Sequence, residues 1–185
     1  MIFFALLIAG LTLPMPQPLH AAETSIETTL TELPVKPVAP AFLLRTLAGE
    51  EHQISDYSGQ VVVVNFWATW CLPCLKEMPS LERAAQAMEK DGVKFLAINM
   101  GDRRAQVRRF LERHPLSLTV LLDPGARVSA KWQVTSLPVT YIVDRSGHIH
   151  SGAIGTRIWD SPILLERFRQ LSQATLPALR QSAGR

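Results

Sequence analysis

The spacing of apolar and polar positions changes period sharply in the first half of the chain. Val61-Val62-Val63-Val64 followed by Phe66 is a continuous β-branched and aromatic run, which predicts a strand buried on both faces. From Leu75 the apolar residues take helical spacing, with Met78, Leu81, Ala85 and Met88 on one face. Cys71 and Cys74 lie between the two, where a central strand ends and a helix begins. Asp91-Gly92 closes the helix, and Val93 to Asn99 predicts a second buried strand. Asp102 is placed to cap a helix over Arg103 to Arg113, with Val107, Phe110 and Leu111 inward, and Pro115 forbids its continuation. Leu118 to Leu122 predicts a third strand, Asp123-Pro124-Gly125 a turn, and Ala126 to Trp132 a short helix. Val139 to Val143 and Ile149 to Ile154 predict two strands paired across Asp144-Arg145-Ser146-Gly147. Asp160 or Ser161 before Pro162 starts a last helix, Ile163 to about Ser172. Upstream, Ala41 to Leu44 and Glu51 to Ile54 predict a small hairpin through Ala48-Gly49, and Asp56-Tyr57-Ser58-Gly59 a turn into the central strand. This order of elements is α/β with a mixed sheet.

Composition narrows the class. A chain of 185 residues, 47% hydrophobic and 19% charged, holds one well-buried domain with some sequence to spare. A net charge of +3 is too mild to argue for nucleic acid. Two cysteines are too few for a disulfide-stapled scaffold, and one C-x-x-C is a poor zinc site, which needs four ligands. At a strand–helix junction the pair reads as a reversible dithiol, because free amides and the helix dipole there favour a thiolate.

The N-terminus bears on compartment. Ile2 to Leu13 is apolar except for Gly10 and Thr12, Pro14, Pro16 and Pro18 break the run, and Ala21-Ala22 offers small residues for cleavage. Residues 1–22 therefore read as a signal peptide, with an uncleaved tether through residues 2–18 as the alternative; no Lys or Arg precedes the run. Residues 23–39, rich in Thr, Glu and Pro, read as an extended linker, residues 40–173 as the folded domain, and residues 174–185 as a flexible tail. The expected location is periplasmic or secreted.

Asn65-Phe66-Trp67-Ala68-Thr69-Trp70-Cys71-Leu72-Pro73-Cys74, with Pro79 in the helix that follows, resembles the thioredoxin superfamily, and within it the TlpA/ResA-like extracytoplasmic thiol–disulfide oxidoreductases. Phe42 to Gly59 is similar to that group's N-terminal hairpin. Trp132 to Asp144 is similar to the segment bearing the superfamily's cis-proline, and the match runs over roughly residues 40–172. The resemblance implies a thioredoxin-like mixed β-sheet flanked by helices, with an N-terminal β-hairpin extension. It also implies a reductase of protein disulfides, a membrane thiol-reductant donor, and substrates such as apocytochromes c or copper-site assembly proteins. No cofactor beyond the Cys71–Cys74 pair, no metal and no nucleic acid are expected, and the chain is expected to be a monomer. A copper-binding assembly chaperone using Cys71 and Cys74, or a thiol peroxidase, are the alternatives.

Within that frame Cys71 is the expected nucleophile and Cys74 the resolving thiol. Pro73 rigidifies the turn and removes an amide donor. By resemblance, Pro138 faces the cysteines and the backbone of Leu137 pairs with substrate. Trp70 offers an apolar docking surface, and Trp67 reads equally well as core. Asn65 stands where superfamily members often carry a buried Asp, so the proton of Cys74 must go through another group or water. Glu77 is the candidate, with a solvated helix glutamate as the competing reading. The arginines at 103, 104, 108, 109 and 113 read as a solvated face, and His148 and His150 as exposed strand residues.

Overall fold

The computed structural model describes residues 28–174. Eight strands form one mixed sheet. In chain order they are β1 (Thr31–Glu32), β2 (Leu43–Arg45), β3 (Glu51–Gln53), β4 (Val62–Trp67), β5 (Lys94–Met100), β6 (Thr119–Asp123), β7 (Val139–Val143) and β8 (Ile149–Ile154). The helices are α1 (Leu72–Met88), α2 (Arg104–Arg113), α3 (Arg127–Lys131) and α4 (Pro162–Gln173). Across the sheet the order is β1-β8-β7-β4-β5-β6-β2-β3, with β4, β5 and β6 parallel and the remaining pairs antiparallel. The chain has a thioredoxin-like fold with an N-terminal hairpin, β2–β3, added beside β6.

The period of two in β4 sorts the core. Val61, Val63 and Trp67 face one side, packed with Met78, Leu81 and Met88 of α1, Val107 of α2, and Leu164 and Phe168 of α4. Val62, Val64 and Phe66 face the other side, with Phe42, Leu44, Val128 and Trp132. Each valine so covered contributes about 1.5–3 kcal/mol of burial. The same alternation puts Asn65, 1% exposed, on the side of α1. On the opposite side Trp132 packs on Phe66 and Tyr141 and donates its indole N–H to the carbonyl of Pro40 at 3.0 Å, fastening the segment that leads into the hairpin.

Most elements fall within one or two residues of expectation. The cysteine helix begins three residues earlier than its apolar period, at Leu72, with Cys71 as its N-cap. Ala84 is fully buried and Ala85 only partly. Two local readings change. Asp102 does not cap α2: Arg103 occupies the N-cap, and the Asp102 side chain turns to Thr69 and Asn99. Residues 28–39, expected to be free of secondary structure, carry β1 along β8 and a bridge from Val38 to His148. β8 is thereby an interior strand, so His150 is 7% exposed and His148 half-buried rather than both being open to solvent. Burial holds the His150 ring below its ordinary pKa, with Lys36 acting in the same direction. The expected signal segment 1–22 and the tail beyond Ala174 lie outside the described residues.

Candidate active site

β4 delivers the chain to the site. After Trp67 the backbone turns, the amide of Cys71 bonding to the carbonyl of Ala68 at 3.1 Å, and α1 starts at once, the amide of Leu75 bonding to the carbonyl of Cys71 at 3.1 Å. Cys71 and Cys74 are joined by a disulfide with their Cα atoms 5.3 Å apart. The Cys74 amide points at the Cys71 sulfur at 3.3 Å. Pro73, in the first turn, has no N–H, so Cys74 supplies the amide that reaches the sulfur. Once the bond is reduced, that amide and the helix dipole favour a thiolate on Cys71. Cys71 is 4% and Cys74 1% exposed, whereas Trp70 and Leu72 are 71% and 63% exposed, an open apolar rim around a covered disulfide. Trp67 is core, packed on Phe110.

The Leu137–Pro138 peptide is cis. Val139 pairs with Phe66 across β7 and β4, so Leu137 and Pro138 lie at the end of the sheet where the cysteine turn begins. The carbonyl of Pro138 accepts from the Gly155 amide at 2.9 Å, and the φ of +82° at Gly155 lets the chain turn back as β8 ends.

Glu77, three residues beyond Cys74, is 2% exposed, so the reading of a solvated helix glutamate does not hold. Its Oε1 accepts from Asn65 Nδ2 at 2.9 Å, and Oε2 accepts from the Arg157 amide at 2.9 Å and from Trp159 Nε1 at 3.0 Å. Asn65 Nδ2 also donates to Thr140 Oγ1 at 2.9 Å, and Asn65 Oδ1 is buried with no partner. Burial pushes the Glu77 carboxyl up from 4.5 to about 7; the bonds from Arg157, Trp159 and Asn65 and the Arg157 charge pull the other way without overcoming it. A carboxyl poised near neutrality one turn past the dithiol can both take and return a proton.

Some participants carried no sequence signal. Arg157 and Trp159 lie in the loop between β8 and α4, where no periodicity or motif marks them. Asp102, 4% exposed, accepts from the Thr69 amide at 2.7 Å and Asn99 Nδ2 at 2.9 Å, and so holds the turn before Trp70. The five arginines on and before α2 are exposed and, among the described residues, make no ion pair; Arg104 bonds to the Leu47 carbonyl and Arg113 to that of Arg109. Among the described residues no three His, Cys, Asp or Glu side chains gather into a metal-holding group.

The AhpC/TSA family model matches residues 35–151. The chain is 38% identical over 133 residues to the thiol-disulfide oxidoreductase ResA of Geobacillus kaustophilus, covering 72% of this chain and 76% of that protein. It is 32% identical over 118 residues to the ResA of Bacillus subtilis, covering 64% of this chain and 66% of that one. In three dimensions it is similar to StoA from Bacillus subtilis, with a TM-score of 0.60 over 74% of this chain and 98% of that one; at 24% identity this likeness speaks to the fold.

Proposed function

Because the chain belongs to the thioredoxin-like AhpC/TSA family and is a thiol–disulfide oxidoreductase of ResA type, we propose that it works as a monomeric reductase of protein disulfides outside the cytoplasm. The observation that carries the reading is the disulfide at the N-terminus of α1, with Cys71 at the N-cap under the Cys74 amide and Glu77 buried one turn further on. In the reduced protein the Cys71 thiolate attacks one sulfur of a substrate disulfide, forming a mixed disulfide and releasing the other substrate sulfur as a thiolate. Cys74 passes its proton to Glu77 and attacks the Cys71 sulfur. The Cys71–Cys74 bond forms and the second substrate thiolate leaves, so that two electrons have moved to the substrate. A dithiol donor then reverses the exchange and reduces the pair again. Trp70 and Leu72 give the substrate chain an apolar seat, and the backbone at Leu137, beside Pro138, gives it a hydrogen-bonding edge.

The signal-like segment at residues 1–22 supports a periplasmic or secreted location, with the donor in the membrane, and the family resemblance of the sequence motifs favours disulfides of cytochrome c or copper-site assembly as substrates. The absence of His between the cysteines supports the reducing direction. Two measurements test this. Cys74→Ser should accumulate a mixed disulfide through Cys71, whereas accumulation only in Cys71→Ser reverses the two roles. Equilibration of the native pair with glutathione should give a potential on the reducing side; one as oxidising as the strong periplasmic oxidants overturns the reductase assignment.

A further inference from the structure

The loop Gly155–Asp160 bonds to two parts of the site, Pro138 and Glu77. Its first amide, from Gly155, bonds to the carbonyl of Pro138. Its Arg157 amide and Trp159 indole together hold Oε2 of Glu77. It is also stitched to α1 three residues past Glu77: Ser80 Oγ accepts from the Trp159 amide at 3.2 Å, and its one hydroxyl hydrogen lies between the carbonyls of Glu77 at 2.8 Å and Arg157 at 3.3 Å. The Arg157 side chain then fixes the loop on itself. Its guanidinium is 8% exposed as a residue and donates to the carbonyls of Ile154, Gly155 and Thr156, and through Nε to the carbonyl of Thr29 at 2.8 Å. Thr29 belongs to the segment that runs on into β1, whose Leu33 amide bonds to the carbonyl of His150 at 3.1 Å. A buried guanidinium on four carbonyls is a costly device for a surface loop unless that loop must stay in place.

We infer that Arg157 and Trp159 are positioning residues of the exchange reaction: their loop holds the Glu77 carboxylate and the Pro138 wall in one register, and Arg157 locks that loop through the segment leading into β1. This rests on the reading of Glu77 as the proton acceptor for Cys74. The groups facing Glu77 are Asn65 from β4, Thr140 through Asn65 from β7, and Arg157 and Trp159 from the loop, with Cys74 on its own helix; the Arg157 guanidinium is the charge that acts on it. Every bond the loop gives to Glu77 is a donor bond, which stabilises the ionised form. Removing a donor therefore makes Glu77 harder to ionise.

The test reads the resolving step alone. Reduced protein mixed with dithiobis-nitrobenzoate releases two thionitrobenzoate groups, and the second release reports Cys74 attacking the mixed disulfide on Cys71. In the native chain its rate should rise with pH around a midpoint near 7. Trp159→Phe keeps the ring packing and loses the N–H, and should move that midpoint up by about one pH unit. Arg157→Met keeps the backbone amide, loses the charge and the lock, and should move it in the same direction while speeding amide exchange at Leu33. Arg157→Lys should bring the midpoint part of the way back. If Glu77→Gln removes the limb while Trp159→Phe and Arg157→Met leave its midpoint unmoved, the positioning role is wrong. If Glu77→Gln leaves the limb intact, the proton-acceptor reading is wrong and this inference falls with it. Should Trp159→Phe fail to fold, the Arg157 pair carries the same decision.

Discussion

Asn65 and Glu77 divide one task between two positions. A carboxylate at position 65 would lie on the α1 face of β4, within hydrogen-bond distance of Glu77, because Asn65 Nδ2 now sits 2.9 Å from Oε1. Two buried carboxyl groups at that separation cannot both ionise, and they share a proton until the pH is well above the value of either alone. An amide avoids this. It donates to an ionised Glu77, and its free Oδ1 can turn to accept from a protonated one. Asn65→Asp should therefore be near native in stability at pH 5, where the pair holds a proton. At pH 8 it should lose on the order of 2–4 kcal/mol, where the second charge is forced. Urea unfolding at the two pH values checks this, and an equal loss at both would show a packing defect instead.

At the level of elements, the segments that carry chemistry are placed by partners far away in sequence. The turn Ala68–Trp70 is held from α2's approach: the Asp102 side chain accepts from the Thr69 amide and from Asn99, whose Oδ1 already lacks a partner. Asp102→Ala would leave the part-buried Thr69 amide and the buried Asn99 amide unpaired, at a cost of roughly 2–4 kcal/mol, whereas Asp102→Asn keeps one acceptor and should lose less. Urea unfolding measures the cost, and amide exchange at Thr69, faster in the alanine variant, locates it; unchanged exchange there would refute the anchoring role. Local pattern had pointed to Asp102 as a helix cap, since an Asp before a helical period is a good N-cap on sequence grounds. It could not see that Thr69, more than thirty residues away, offers a competing donor. The strand runs were readable for the opposite reason: β4 through β7 are buried by their own, mainly apolar side chains, and such runs state that directly. β1 was not readable, because two residues, Thr31 and Glu32, pair through backbone alone and carry no period. The dithiol was legible from a local motif. The loop that holds Glu77 was not, because Arg157 and Trp159 act by contact across 80 and 82 residues.

Over the whole molecule, Glu77 joins α1, β4, β7 through Asn65, and the loop ahead of α4, so its ionisation is felt by the entire fold. Its folded pKa of about 7 lies above the 4.5 of an open chain. Between those values the native state binds more protons than the unfolded state, so stability is fully present below about pH 4.5 and falls as pH rises through about 7. The displacement corresponds to roughly 3 kcal/mol. Glu77→Gln should abolish that slope. Its amide oxygen can keep the Arg157 and Trp159 donors, and its NH₂ can meet Asn65 Oδ1 once that amide turns. The variant should therefore be as stable as the native chain near pH 5 and more stable at pH 8, while its resolving step slows. His150 acts in the opposite sense over an overlapping range: held neutral by burial, its ring makes the fold weaken as pH falls through the ordinary histidine range, so the two slopes oppose one another in the native chain and the Glu77→Gln comparison separates them. Chemical unfolding of both proteins from pH 4.5 to 8.5 decides it. A Glu77→Gln variant whose stability tracks that of the native chain from pH 5 to 8 would mean that Glu77 ionises in the fold as it does in the open chain.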